Sequence, residues 1–218
     1  MLHTATMRGL RPGTTYTYRV GASLDGPWSP AYNFTTLPGD IGTAARPLRA
    51  VQLADMGCGT NAAPTIAAVT RRVLAGTVDV VFHPGDIGYD DGDEHVWDVY
   101  MRAVEPIAAR VPYMTAPGNH ECLWNFSAYK RRFGAAMPTP DGGAFFDENG
   151  AAASQSSSLD GMAQYYELRL GPVSVFMLDS ESVVGTAEVT ASQAAWFADR
   201  AMAAAAQSSG RRQRALIS

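Results

Sequence analysis

Three short polar clusters each follow directly on an apolar run: Ala54-Asp55-Met56-Gly57, His83-Pro84-Gly85-Asp86-Ile87-Gly88-Tyr89, and Pro117-Gly118-Asn119-His120-Glu121. Asp55, Asp86, Tyr89 and Asn119 offer only oxygen donors, which suit hard or borderline cations. A carboxylate has two oxygens and can bridge two ions. A phenolate suits a trivalent ion, and a neutral carboxamide oxygen a divalent one. Two ions roughly 3.5–4 Å apart can hold a phosphoryl group and lower the pKa of bound water, which makes a nucleophile at mild pH. Gly57, Gly85 and Gly118 let the backbone turn tightly beside such ligands.

The clusters need elements that bring them together. Asp55 and Asp86 are 31 residues apart and Asp86 and Asn119 are 33 apart, each about one strand-helix-strand unit. Ligands in open α/β sheets bind beyond the carboxyl ends of the strands. From residue 47 on, strands and helices alternate. Strands are expected at Leu48–Ala54, Val78–Phe82, Pro112–Ala116, Gln164–Leu170, Val173–Leu178 and Arg214–Ser218. Helices are expected from an Asn61 cap to about Ala75, then at His95–Ala109, Phe126–Phe133 and Thr190–Ala206. Residues 141–160 read as a loop. The class is α/β.

Ahead of this lies a β-rich segment. Thr15–Val20 and Tyr32–Thr36 read as two strands around a turn rich in Gly, Pro and Ser. A lone hairpin is marginal in water, so residues 1–37 are expected to be the end of a larger β-domain. A linker (38–46) and an α/β domain (47–218) follow.

Composition bounds the function. The 218 residues are 46% hydrophobic and 17% charged, with a net charge of −4. That describes a globular chain and argues against a nucleic-acid binder, which would show a basic stripe. No apolar run reaches the roughly 20 residues of a membrane span. After Met1 there is no basic stretch followed by an apolar core, so no signal peptide is read. Cys58 and Cys122 are too few for a disulfide scaffold; they could pair or stay free. His83 follows an apolar strand and is expected to be a satisfied core histidine. His95 is expected on a helix surface. The acidic run Asp90, Asp91, Asp93 and Glu94 lacks the pattern of a calcium loop and reads as solvated. Asn33-Phe34-Thr35 and Asn125-Phe126-Ser127 are glycosylation sequons.

Asp-x-Gly, Gly-Asp-x-x-Tyr and Gly-Asn-His-Glu, in this order and spacing, resemble the first three of five motifs of the purple acid phosphatases, which are metallophosphoesterases of the calcineurin-like superfamily. Cys122 to Phe133, and Gln164-Tyr165-Tyr166 through Glu181, are similar to the family as well. Leu10-Arg11-Pro12-Gly13-Thr14-Thr15-Tyr16 resembles the tyrosine-corner signature of fibronectin type III domains.

The resemblance implies a β-sandwich flanked by helices (αββα), incomplete here and preceded by the last strands of a fibronectin-like sandwich. It implies that Asp55 and Tyr89 bind a ferric ion, that Asp86 bridges, and that Asn119 binds zinc, manganese or ferrous iron. It further implies that the Tyr89 phenolate colours the protein, that His120 contacts the substrate phosphate, and that Glu121 supports the ligands from behind.

Acid phosphatase activity on phosphate monoesters, with a metal-bound hydroxide as nucleophile, is the expected function. A phosphodiester or pyrophosphate hydrolase on the same centre, or a non-catalytic remnant, are the alternatives. The implied location is secreted, vacuolar or lysosomal, and the implied partner is a small phosphate ester, with no nucleic acid and no membrane. One departure is Ala54 in place of the family's Gly. The larger one is that no histidine follows His120, although the last two motifs of the family supply three. The chain is therefore expected to be truncated at both ends and, made alone, to bind metal weakly and hydrolyse little.

Overall fold

A computed structural model describes residues 3, 5–23, 25–134, 136–138, 164–181, 187–206 and 214–217. The expected loop at 141–160 lies outside them.

Strands β1 (Thr15–Tyr18) and β2 (Tyr32–Thr35) form an antiparallel hairpin. Its aromatic residues interlock: Tyr16 stacks on Phe34 at 5.8 Å, and Tyr18 meets Tyr32 and Phe34 at 5.7 Å. The Tyr16 hydroxyl accepts the Arg11 backbone N–H at 2.9 Å, the contact that defines a tyrosine corner. The hairpin gains further support from the α/β part. Tyr18 donates to the Ala109 carbonyl at 3.0 Å, Tyr32 donates to Glu105, and the Arg110 guanidinium lies over the Tyr32 ring. An apolar cavity of about 530 Å³ lies here, lined by Met7, Tyr18, Phe34 and residues 108–112, and by none of the three polar clusters.

The linker runs back over the α/β part as a strap. Ile41 is buried. Its carbonyl lies so close to Gly171 (φ +62°) that a Cβ there would collide with it.

The α/β part begins with β3 (Ala50–Gln52), α1 (Ala63–Leu74), β4 (Val80–Pro84), α2 (Glu94–Ala108) and β5 (Tyr113–Ala116), and the three strands form a parallel sheet in the order β3-β4-β5. All five residues of β4 are buried, as a strand covered on both faces requires. Strand β3 is shorter than expected, although Leu53 N–H still reaches the Phe82 carbonyl at 3.0 Å. The start of α1 corrects the Asn61 reading: the cap residue is Ala62, and no side chain caps the helix. Pro64 in the first turn sets the entry instead, because its fixed φ suits that position. Helix α2 is capped by Asp93, which accepts the His95 N–H at 3.0 Å. Its buried stripe is Trp97, Tyr100, Val104 and Ile107, the spacing of one helix face. His95 is exposed, as expected.

Helix α3 (Leu123–Phe133) opens with a turn of the wrong hand: Trp124, Asn125 and Phe126 have φ of 48°, 57° and 58°. Left-handed backbone costs about 1–2 kcal/mol per non-glycine residue. The right-handed helix that remains, residues 127–133, therefore starts one residue later than the expected Phe126–Phe133. A second sheet, β6 (Tyr166–Leu170), β7 (Val173–Met177) and β8 (Arg214–Ile217), has β6-β7 antiparallel and β7-β8 parallel. Helix α4 (Ala187–Ala206) connects β7 to β8. Residues from both sheets and from α1 to α3 share one core, and the Tyr166 hydroxyl ties the sheets by donating to the Thr115 carbonyl at 2.6 Å. This is the expected α/β architecture. Among the described residues no helix is long and apolar enough to cross a membrane.

Two polar features inside this core have clear physical accounts. His83 is fully buried, with Nδ1 2.8 Å from the Tyr113 hydroxyl and 3.0 Å from that of Tyr100. Burial pushes its pKa down to about 3, so the ring stays neutral; it is a core histidine, as expected, but a half-satisfied one, because its buried Nε2 has no hydrogen-bond partner among the described residues. Asp79, also buried, is held by Arg49 through Nε (3.0 Å), Nη2 (2.6 Å) and the backbone N–H (2.8 Å). Burial alone would push the Asp79 carboxyl up, but the Arg49 donors outweigh it and the pKa falls below the usual carboxylate range.

The folded state therefore favours the charged form. This stabilisation is present above the unfolded pKa of about 3.9 and is lost as pH falls through the lower folded value. Asp79→Asn should cost about 1–2 kcal/mol at pH 7, a value discounted because Arg49 is half exposed. The gap to wild type should narrow below about pH 4, as denaturant midpoints at pH 7 and pH 3 would measure.

Candidate metal centre

Each polar cluster leaves the carboxyl end of β3, β4 or β5, and backbone hydrogen bonds zip the three loops together. Asp55 N–H donates to the Gly85 carbonyl (3.3 Å) and Gly57 N–H to that of Ile87 (3.1 Å), joining the first loop to the second. Gly85 N–H donates to the Ala116 carbonyl (2.9 Å), joining the second to the third strand. The Asn119–Glu121 segment forms a single 3-10 turn, whose His120 N–H donates to Asp86 Oδ1 at 3.1 Å.

Glu121 cross-braces two of these loops. It is almost fully buried. Its Oε1 accepts from Ile87 N–H (2.8 Å) and Gly88 N–H (3.4 Å), and its Oε2 from Gly118 N–H (2.8 Å). Burial raises its carboxyl above the usual range, although all three amides pull the other way. Glu121 thus stands behind the second and third loops and braces one against the other.

Three of the four candidate ligands converge. The Tyr89 hydroxyl lies 3.2 Å from Asp55 Oδ1 and 3.4 Å from Asp86 Oδ2, donating to both carboxylates. Burial, and then the charges of Asp86 and Asp55, push the Tyr89 pKa up to about 12. Oxygens held at roughly 2.0–2.2 Å around one cation sit about 3 Å from each other, so this triad fits a hard ion with little movement. Asp55, Asp86 and Tyr89 all have left-handed backbone, with φ of 52°, 50° and 53°. Strain of this kind gathers where function fixes geometry. Asn119 is exposed on the 3-10 turn, next to the residue that bonds Asp86. Among the described residues no three His, Cys, Asp or Glu side chains gather into a metal cluster. The donor set depends on the phenol and the carboxamide.

His120 lies over this triad. Its ring centroid is 4.3 Å from that of Tyr89, and Nδ1 is 2.7 Å from Asp91 Oδ1. Asp91 raises the His120 pKa above its ordinary value and outweighs the desolvation that lowers it. Asp91 is the residue of this cluster that the sequence reading missed, through its contact with His120. The acidic run corrects that reading in another way too, because only part of it is solvated. Asp90 is buried and accepts Gly92 N–H at 3.1 Å, while Glu94 pairs with Arg132 at 2.5 Å. Position two residues after Tyr89 is the only sequence signal that could have singled out Asp91.

Cys58 and Cys122 are free thiols. Both sequon asparagines are exposed; Asn33 Oδ1 accepts from the Thr17 hydroxyl at 2.7 Å, and Asn125 Oδ1 from Lys130 Nζ at 3.4 Å.

Comparison with known proteins bears on both parts of the chain. Residues 1–36 match the purple acid phosphatase N-terminal domain, and residues 48–207 match the calcineurin-like phosphoesterases. Acid phosphatase type 7 of Mus musculus is 41% identical over 147 residues, covering 66% of this chain and 32% of the relative. Probable inactive purple acid phosphatase 27 of Arabidopsis thaliana is 34% identical over 158 residues, covering 66% of this chain and 23% of the relative. The chain thus spans about a third or less of the length of these relatives. The solved structure of purple acid phosphatase PPD1 from yellow lupin (Lupinus luteus) seeds superposes with a TM-score of 0.53 at 24% identity, over 84% of this chain and 33% of that one. This last likeness concerns the fold alone.

Proposed function

The chain belongs to the calcineurin-like phosphoesterase family, and within it to the purple acid phosphatases, and from that premise we propose that its three-loop site serves hydrolysis of phosphate monoesters at a pair of metal ions. The observation that carries the reading is the Tyr89 hydroxyl within 3.4 Å of two carboxylates on two different loops. Asp55, Asp86 and Tyr89 would hold a ferric ion. Asp86 and Asn119 would hold a divalent one: zinc, manganese or ferrous iron. When bound, such ions supply Lewis acidity to phosphoryl oxygens and a nucleophile from water near neutral pH.

The chain's own residues do the rest. Asp91 engages His120 Nδ1, which orients the imidazole and leaves Nε2 as the nitrogen free to donate to a phosphate oxygen or to the leaving group. Glu121 fixes the spacing of the second and third loops, and with it the place of Asp86, which would serve both ions. The divalent side has two oxygen donors in this chain and no histidine after His120, so the 218 residues alone should hold that ion weakly.

Phenolate-to-iron charge transfer gives a direct test. Ferric ion added to the purified chain should produce a visible absorption band, and Tyr89→Phe should remove it while leaving the circular dichroism unchanged. A wild-type chain that stays colourless with excess ferric ion would defeat this reading. A second reading, a non-catalytic homologue, is favoured by the name of the Arabidopsis relative, probable inactive purple acid phosphatase 27. It expects the band without turnover of phosphate esters.

A further inference from the structure

We propose that Trp124 is a stacking platform for a planar, aromatic leaving group, which makes it a specificity-determining residue; the proposal rests on the phosphoester reading above. Trp124 is 66% exposed and the neighbouring Leu123 42% exposed, in a chain whose other three tryptophans are less so. A large apolar surface left in water needs a reason. Here the backbone works to keep it there. The left-handed turn Trp124-Asn125-Phe126 sends Phe126 into the core, under the Lys130 ammonium, and swings Trp124 outward.

The indole is not adrift. Its Cη2 lies 3.2 Å from the position a Cβ would take on Gly92, and Leu123 Cδ1 lies 3.5 Å from the same point. Gly92 is at φ +95°, with its N–H fixed by Asp90 at 3.1 Å. It adjoins Asp91, whose carboxylate holds His120. A continuous path therefore runs from Tyr89 through His120 and Asp91 to Gly92 and Trp124. A phosphate held by the three loops and His120 must point its organic part away from the metal ligands. Trp124 and Leu123 then offer apolar cover along this path. A flat ring gains from an indole face through dispersion and quadrupole contacts, whereas a small alkyl group has little to stack.

The test uses binding. The ferric-loaded chain is titrated by calorimetry with phenylphosphonate and with methylphosphonate, the latter as the internal reference. Wild type should prefer the phenyl compound by about tenfold. Trp124→Ala should cut that ratio to about twofold or less, and Trp124→Phe should keep most of it. A ratio unchanged in Trp124→Ala would overturn the proposal and leave the phosphoester reading standing; it is the result expected if Trp124 instead meets another polypeptide. No binding of either phosphonate would overturn the phosphoester reading, and the platform with it.

Discussion

Asp86→Asn is expected to abolish ferric uptake, with ferric affinity falling by more than the ~10–100-fold that loss of an outer hydrogen-bond partner costs a metal site. The substitution is chosen because it isolates the charge. Asp86 sits at φ +50°, a conformation that asparagine tolerates better than most residues. The amide oxygen can still accept His120 N–H, the 3.1 Å bond that ties the third loop to the second. What is lost is the anion that would face both cations, together with the carboxylate 3.4 Å from the Tyr89 hydroxyl. The variant should thus fold, show the wild-type thermal midpoint without metal, and remain colourless with ferric ion. A normal band and wild-type affinity in Asp86→Asn would remove Asp86 from the ligand set and undo the bridging role.

The second large effect is steric. Gly118 has φ −115° and ψ −172°, extended backbone open to any residue, so its importance does not lie in conformational freedom. It lies in contact: a Cβ there would overlap the Asp86 N and Oδ1 atoms and stand 2.8 Å from Gly85 Cα. These are backbone and anchored carboxylate atoms that cannot swing aside. Gly118 N–H also donates to the buried Glu121 at 2.8 Å, so a shift of the loop would leave a buried acceptor short of a partner. Gly118→Ala should cost about 3 kcal/mol. For a chain of this size that lowers the melting temperature by roughly 6–12 °C, and the ferric band should fail to form. Differential scanning calorimetry would read the first effect and absorption spectroscopy the second. An alanine variant with unchanged melting temperature and colour would show that the loops are looser than their contacts imply.

Both variants act on features with unequal visibility in the sequence. The gathering of three clusters was legible because each follows an apolar strand at a spacing of one strand-helix-strand unit, and parallel strands place such loops at one end of a sheet. The fully buried β4 showed itself as an unbroken apolar run. The tyrosine corner was legible because its residues are local. Contacts between distant residues were not. Nothing in Asp90-Asp91-Gly92-Asp93-Glu94 says that one carboxylate turns inward, one meets a histidine 29 positions away and another pairs with Arg132. Asn61 has the side chain of a cap, but the helix begins after Ala62 and leaves the asparagine aside. The reversed turn at Trp124–Phe126 contains no glycine to announce it, so only burial of Phe126 and contact with Gly92 account for it.

The strap over Gly171 has a mechanical consequence. Because the Ile41 carbonyl leaves no room for a side chain opposite it, residues 38–46 keep their seat on the β6–β7 turn only while position 171 is glycine, and any larger residue there would push the strap away. The N-terminal segment acts as a buttress braced at two points, one at the β6–β7 corner and one at the end of α2 through Tyr18 and Ala109.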